Sequence, residues 1–187
     1  MVDSMDLTDN FLIAMPTLED PNFQRSVTYV CQHNESGALG IVVNQASEIS
    51  ISEILGQLEI DCANESWGAQ MVMIGGPVHR DRGFVLHDTT DEWDSSLRVT
   101  DALMLTTSRD ILEALASGRG PERALLALGY AGWDAGQLES EMLENSWLSC
   151  PADADLLFDR PSEELWMAAA HRLGIDLNRL SGTVGHA

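Results

Sequence analysis

Three carboxylates lie close together in the stretch GYAGWDAGQLESEMLENSWL, which runs from residue 129 to residue 148. General acid–base catalysis uses paired carboxyl groups whose environments push their pKa values apart. Glu141 and Glu144 are three positions apart and would share one face of a helix. Acidic residues are also typical of the first turns of helices, where the helix dipole stabilises them. We therefore interpret this stretch as architecture first and as the wall of a pocket second.

A polar stripe runs along the same predicted helix. Gln137, Glu141 and Asn145 are spaced by four residues, which places their side chains on one face. Trp133 and Trp147 flank the two ends of the helix. If the stripe is buried, we expect the amides of Gln137 and Asn145 to hydrogen-bond to backbone and to hold the preceding glycine turn.

Cys31 and His33 are the second candidate for chemistry, because a thiol beside an imidazole is the minimum for a nucleophile and its base. On a strand these two side chains would project to the same face. With NESG as a four-residue loop, Cys31 pairs with Gly40, and His33 pairs with Ala38. Asn44, the third member of a Cys/His/Asn set, then lies roughly 13 Å from Cys31 along the hairpin. The spacing therefore argues against nucleophilic catalysis.

The segment GGPVHRDRGFVLH, residues 75–87, is the third candidate. Its glycines and proline predict a tight turn with exposed backbone N–H groups, and its arginines add positive charge to an acidic protein. Such a patch suits an anion or the carboxylate of a partner. The alternative is a loop in which the arginines offset neighbouring acids. The residues of this patch are Gly75, Gly76, Pro77, Arg80 and Arg82, together with Arg25.

The charge balance excludes several classes of partner. The chain of 187 residues has 10 basic residues, all of them arginine, against 30 acidic ones, for a net charge of −20. Such a surface repels phosphate backbones and anionic membranes, so we expect neither nucleic acid nor membrane as a partner. The acid excess has an alternative explanation in the adaptation of a whole proteome.

Cofactor and compartment signals are few. No phosphate-binding glycine motif and no common metal-ligand spacing is present, so we predict no cofactor and no metal. Cys31, Cys62 and Cys150 are widely spaced, which favours a reducing compartment. The first ten residues are acidic and polar, which is not typical of a secretory signal. We therefore expect a cytoplasmic protein.

The elements that position these residues predict an α+β fold. Apolar residues make up 44% of the chain, enough for one core, and we expect a single domain over residues 1–187 with its core at about 10–174 and a flexible tail at each end. Strands are predicted over 10–18, in a hairpin over 27–44, and over 71–78, 83–87, 97–108 and 155–158. Helices are predicted over 50–58, 108–118, 136–148 and 162–174, whereas 123–133 fits either type.

Several of these motifs together resemble the YqgE/AlgH family of small bacterial proteins. They are FLIAMPTLEDPNFQRSVTYVCQHNESGALGIVVN, GGPVHRDRGFVLH, SRDILEALASGRGP and LGYAGWDAGQLESEMLENSWL, and they extend over most of the chain. The resemblance implies a single compact domain whose mostly antiparallel sheet curls into a pseudo-barrel with flanking helices. It brings no established activity and no catalytic residues, although some members carry the label of transcriptional regulator linked to exopolysaccharide control.

Three functions stay open from the sequence. The first is a non-catalytic regulatory module that binds a protein partner and acts on transcription only indirectly. The second is a ligand-binding protein or enzyme with a pocket between the GGPV and GYAGW turns. The third is direct binding to DNA, which the net charge disfavours. The predicted surface or pocket comprises Arg25, His33, Asn44, Gly75, Gly76, Pro77, Arg82, Trp133, Gln137 and Glu141.

Overall fold

A computed structural model describes residues 5–88 and 92–182. Its strands are β1 (Asn10–Ala14), β2 (Val27–Asn34), β3 (Gly37–Val42), β4 (Ala46–Ser50), β5 (Met71–Ile74), β6 (Val78–Asp88), β7 (Ser96–Arg98), β8 (Leu103–Thr106), β9 (Ala124–Asp134) and β10 (Trp147–Pro151). Its helices are α1 (Ile51–Gln57), α2 (Glu65–Gly68), α3 (Arg109–Ala116), α4 (Gln137–Leu143), α5 (Ala154–Asp159), α6 (Ser162–His171) and α7 (Leu177–Gly182).

The strands form one curled sheet, and the α+β prediction is confirmed. Within the described residues the order is β10-β1-β2-β3-β9-β6-β8-β7, and the ribbon of β4 and β5 joins through β5. The strand pairs are antiparallel, with the exception of β5 and β9, which run parallel. β9 is the central strand, because it pairs with β3, β5 and β6. The ambiguous segment 123–133 is thus a strand that ties both halves of the sheet together.

Local signals start and stop the helices. At α1, the Ser50 side chain accepts a hydrogen bond from the backbone N–H of Glu53, and the Glu53 carboxylate accepts one from the backbone N–H of Ser50. This reciprocal cap confirms the predicted start. At the end of α3, Gly118 takes φ +79°, a conformation that costs glycine little.

The structure corrects two predictions at the C-terminal side. Residues 155–158 lie in helix α5 and not in a strand, because the Asp153 side chain accepts hydrogen bonds from the backbone N–H groups of Asp155 and Leu156. The predicted helix over 136–148 ends early: α4 stops at Leu143, Asn145 takes φ +59°, and the chain enters β10.

The first hairpin also differs from its predicted register. His33 pairs with Ala38 as expected, but Asn34 pairs with Gly37, so the loop has two residues and not four. A β-bulge between Val30 and Gln32 shifts the rest of the ladder. Gly40 therefore pairs with Val30, and the predicted pairing of Cys31 with Gly40 is wrong.

The core comprises three groups of buried side chains. The largest packs β1, β2, β6 and β8 against α5 and α6, with Tyr29 and Leu165 among its members. A second packs α1 and α3 on the sheet, and a third lies under α4 and includes Trp133 and Trp147. Within residues 5–88 and 92–182, no helix has the length and the apolar character needed to cross a membrane.

Candidate functional site

The Glu141 carboxylate accepts hydrogen bonds from three neighbouring side chains. Its Oε1 accepts from the indole Nε1 of Trp133 at 3.3 Å and of Trp147 at 3.1 Å. Its Oε2 accepts from the Gln137 amide at 3.0 Å, and Gln137 in turn accepts from the backbone N–H of Asp134 at 2.9 Å. Both carboxylate oxygens are therefore engaged, and the expected bond from Gln137 to the turn is confirmed.

The two indole rings also contact each other and the ring of Phe23. Trp133 and Trp147 meet edge to face with ring centroids 6.1 Å apart, and Phe23 lies 6.2 Å and 5.6 Å from them. We call Phe23, Trp133 and Trp147 the aromatic cluster. Both indoles are nearly fully buried. The cluster with Glu141 thus fastens α4 onto β9 and β10, which is a structural task.

His33 belongs to a separate pair. Its Nδ1 accepts a hydrogen bond from the backbone N–H of Leu7 at 3.0 Å, which leaves the ring proton on Nε2. Nε2 hydrogen-bonds to the Glu139 carboxylate. Burial raises the pKa of Glu139, but hydrogen bonds from its own backbone N–H and from His33 outweigh this effect and hold that pKa below its usual range. The imidazole is therefore committed at both nitrogens.

Cys31 is not available as a nucleophile. Its side chain is buried at 2% exposure in the largest core group, and burial raises the pKa of its thiol far above the usual range. A reactive cysteine needs an accessible thiolate. Asn44 is also placed elsewhere, because its Oδ1 accepts from the backbone N–H of Val27 at 2.8 Å and its Nδ2 donates to the Arg25 carbonyl at 2.9 Å.

The GYAGW segment lies within β9 and is not the predicted turn, and the GGPV turn meets it backbone to backbone. Gly75 donates its N–H to the Leu128 carbonyl at 2.8 Å. A Cβ added to Gly76 would lie 2.1 Å from the carbonyl carbon of Tyr130, and one added to Gly75 would lie 2.3 Å from the Gly129 oxygen. The glycines serve close strand packing at this junction. Pro77, which follows them, leads into β6.

The arginines that follow this turn point to different neighbours. The guanidinium of Arg82 lies over the Phe84 ring at 5.8 Å from its centroid. Arg80 donates to the Asn22 Oδ1 at 3.0 Å and so reaches the turn before β2. Both side chains belong to exposed residues.

Arg25 lies at the mouth of a polar cavity. Its backbone takes φ +58°, and its guanidinium lies over the Trp166 ring at 5.3 Å from the centroid. The cavity has a volume of about 320 Å³ between the turn before β2, the segment after β3 and helix α6. We call it the Arg25 cavity. Its lining residues are Gln24, Arg25, Asn44, Gln45, Ser162, Glu163, Trp166, Met167 and Asn178.

Two side chains that line this cavity, the Trp166 indole and the Asn44 amide, are held by hydrogen bonds to the backbone. The Trp166 indole is buried and donates its Nε1 proton to the Ala14 carbonyl at 2.9 Å. Asn44 bridges Arg25 and Val27 as described. The Arg25 guanidinium, in contrast, is exposed and forms no salt bridge with any carboxylate among the described residues.

An apolar groove adjoins this cavity. It has a volume of about 370 Å³ and lies between the ribbon of β4 and β5, strand β9 and helices α5 and α6. Ser162 and Glu163 line both the Arg25 cavity and this groove. The chain from Val43 to Ala46 also contributes residues to both. Met71, at 43% exposure, opens the groove to solvent. We call it the Met71 groove; its other apolar side chains include Met73, Leu125, Leu157 and Phe158.

The predicted site residues thus separate into groups. Trp133, Gln137 and Glu141 form the network under α4. Arg25 and Asn44 meet at the Arg25 cavity, whereas His33 pairs with Glu139 and Arg82 lies alone over Phe84. That any of these residues binds a ligand stays a prediction. Among the described residues, His, Cys, Asp and Glu side chains form no group of three or more suited to a metal ion.

The Met71 groove and Trp166 lie outside the set of site residues predicted from the sequence. The groove-forming strand β5 was predicted, but its neighbours β4 and α5 were not recognised as its walls. The two methionines of MVMIGG, of which Met71 is exposed and Met73 half-buried, are the local signal that favours an open apolar surface.

Comparisons with known proteins agree on one family. The family model DUF179, described as AlgH-like, matches residues 11–178. A UPF0301 protein of Stenotrophomonas maltophilia is 56% identical over 180 residues, which is 96% of each chain. A UPF0301 protein of Xanthomonas euvesicatoria is 55% identical over 181 residues, covering 97% of this chain and 96% of the relative.

Two solved structures are similar over nearly the whole chain. The solution structure of the AlgH protein from Pseudomonas aeruginosa matches with a TM-score of 0.79 at 48% identity, covering 100% of both chains. A protein from Corynebacterium diphtheriae matches with a TM-score of 0.74 at 20% identity, covering 97% of this chain and 94% of the other, which shows a shared fold. The resemblance inferred from the motifs is confirmed, and the chain belongs to the AlgH-like family.

Proposed function

We propose that this protein is a non-catalytic interaction module that binds a segment of a partner protein in the Met71 groove. The observation that carries the proposal is the groove itself. It sets partly exposed apolar side chains beside β4, a strand that pairs only with β5 among the described strands. Exposed apolar surface rimmed by polar residues is typical of binding sites for other proteins.

The state of the reactive side chains supports a non-catalytic role. The Glu141 carboxylate, the His33 imidazole and the Cys31 thiol are the three groups that the sequence offers as candidates for catalysis. Glu141 and His33 are engaged in internal hydrogen bonds, and Cys31 is buried with a raised pKa. A general base needs a lone pair within reach of a substrate proton, and these groups direct theirs inward.

If the protein regulates transcription or exopolysaccharide production, we propose that it does so through its partner. A protein of net charge −20 lacks the positive surface that supplies most of the non-specific affinity for DNA. A gel shift with a long duplex at low salt tests this part of the proposal. Tight, salt-sensitive binding of the duplex would contradict it.

The experiment for the groove compares three charge-introducing variants as baits for bacterial lysate. Met71→Glu places a carboxylate at the open side of the groove, where the side chain is already partly exposed. We expect a protein that the wild type retains to be lost, because the groove would then have to bury a charge. Leu143→Glu, at a residue of 82% exposure on α4, is the matched control and should retain the protein.

A third variant tests the rival surface. Arg82→Glu reverses the charge near the GGPV turn and should leave retention unchanged. Loss with Arg82→Glu and retention with Met71→Glu would move the interaction to that turn and contradict the groove. Equal retention by all three variants would contradict both surfaces. A photo-crosslinking residue at position 71 then identifies the bound segment directly.

A further inference from the structure

We infer that the Arg25 cavity holds a carboxylate of the same partner segment, so that the protein recognises an acidic group next to apolar residues. This inference rests on the proposed function of the Met71 groove. The cavity and the groove share Ser162 and Glu163 as walls, and the chain from residue 43 to residue 46 runs along both. A single extended segment can therefore lie across the two.

Charge identifies the recognised group as an anion. The salt bridges among the described residues engage Arg109, Arg123, Arg172 and Arg179, and Arg25 takes part in none of them. Arg80, Arg82, Arg98, Arg119 and Arg160 take part in none of these salt bridges either, and Arg25 differs from them because it lines the Arg25 cavity. Arg25 thus supplies a cation without a salt bridge to the described carboxylates, in the cavity that adjoins the Met71 groove.

Arg25 suits a carboxylate, which is the anion that a protein segment carries in its Asp and Glu side chains and at its C-terminus. The guanidinium carbon of Arg25 lies over the Trp166 ring, 5.3 Å from its centroid, and the indole is itself anchored to the Ala14 carbonyl. A planar guanidinium can bind a carboxylate with two parallel hydrogen bonds. The 320 Å³ of the cavity has room for a whole side chain or chain terminus beside Arg25.

Glu163 adds a negative charge to the same site and so opposes the binding of an anion. It lines both the cavity and the groove, is exposed, and has a hydroxyl neighbour in Ser162, whose Oγ lies 3.5 Å from its Oε2. A second carboxylate on this wall weakens the binding of an anion. Replacing Arg25 and replacing Glu163 should therefore change the affinity in opposite directions, which a purely structural role of either residue does not predict.

The test is selection from a displayed library of random seven-residue peptides on the immobilised full chain. We expect the wild type to enrich peptides that place Asp, Glu or a free C-terminal carboxylate beside apolar residues. Synthetic versions of the enriched peptides should bind about tenfold more weakly to Arg25→Gln, because a charge-assisted contact is lost. They should bind more tightly to Glu163→Gln.

The matched control is Arg82→Gln, which removes an exposed arginine that also lies over an aromatic ring but stands outside the cavity. It should leave the peptide affinity unchanged. Thermal melts of all variants confirm folding, and Arg25→Lys should restore only part of the affinity because an ammonium cannot make two parallel bonds.

The outcomes separate the two proposals. Enrichment of apolar peptides without an acidic preference overturns the carboxylate site and leaves the Met71 groove in place. No enrichment at all overturns both. Titration with octanoate, followed by NMR shifts of the Trp166 indole, tests a free small carboxylate; octanoate binding without any peptide binding would assign the cavity to a metabolite and overturn the partner segment.

Discussion

The aromatic cluster and the Arg25 cavity each set a charged side chain against tryptophan, and they differ in what remains unpaired. Under α4, the Glu141 carboxylate accepts from both indoles and from an amide, so each of its oxygens has a partner. At the cavity, the indole of Trp166 donates to backbone, and the Arg25 guanidinium lies over its face with no salt bridge to a carboxylate of residues 5–88 and 92–182.

This difference separates architecture from recognition. A polar network whose acceptors are already paired with the buried indoles specifies one arrangement of the chain and leaves little for a ligand. An exposed charge that is oriented but unpaired costs little in the free protein and gains a partner on binding. Residue types alone do not distinguish the two, because both regions combine tryptophan, glutamate and side-chain amides.

The largest expected effect is at Gly76, in a turn that packs against β9 and leaves no space for a side chain or a ligand. Gly76→Ala should lower the free energy of unfolding by about 3 kcal/mol, because the new Cβ would overlap the Tyr130 backbone. Urea denaturation followed by circular dichroism measures the change. Gly56→Ala is the control: a Cβ there meets nothing within 4 Å, and alanine favours the helix by about 0.5–1 kcal/mol. Equal stability of the two variants would mean that the turn is open, as a binding pocket requires.

The next effect tests the network itself. Glu141→Ala should cost about 2–3 kcal/mol, because two buried indole N–H groups lose their acceptor. Glu141→Gln keeps an oxygen at the same place and should cost less than about 1 kcal/mol. The same denaturation series measures both. A negligible loss in Glu141→Ala would break the comparison, since Glu141 would then be as dispensable for folding as a free charge.

The smallest expected effect on stability is at Arg25, in the cavity. Arg25→Gln should change the free energy of unfolding by less than about 1 kcal/mol, because an exposed cation–π contact contributes little. A loss as large as that of Glu141→Ala would place Arg25 among the structural residues. Small cost in stability together with weakened peptide binding is the combination that the recognition role predicts.

Local chemistry made much of the fold predictable. The helix at 50–58 follows from an apolar spacing and a reciprocal cap between Ser50 and Glu53, all within four residues. The helix at 155–158 was mistaken for a strand because DLLF is a short apolar run, and the cap that decides it is the Asp153 side chain just before. The bulge at Cys31 leaves no mark on the alternation of side chains, so the register could not be derived.

The site was less predictable for a physical reason. Arg25 and Asn44 were selected from their segments, but the partner that orients Arg25 is Trp166, on a helix near the other end of the chain. Likewise, Glu141 was placed correctly on a polar stripe, whereas its two indole donors were expected only to clamp the helix ends. Contacts of this kind depend on how the sheet curls, which no spacing of residues within one element records.

The central position of β9 bears on how the chain is made. β3, β5 and β6 all precede β9 in the sequence, and each of them pairs with it. During synthesis the part of the chain that precedes β9 therefore emerges with strand edges that cannot close until residues 124–134 leave the ribosome. Unpaired edges and the methionines of β5 stay exposed over that interval, and such surfaces are what chaperones bind. A stalled chain that ends before β9 should thus be a chaperone substrate, whereas one that extends past it should be released.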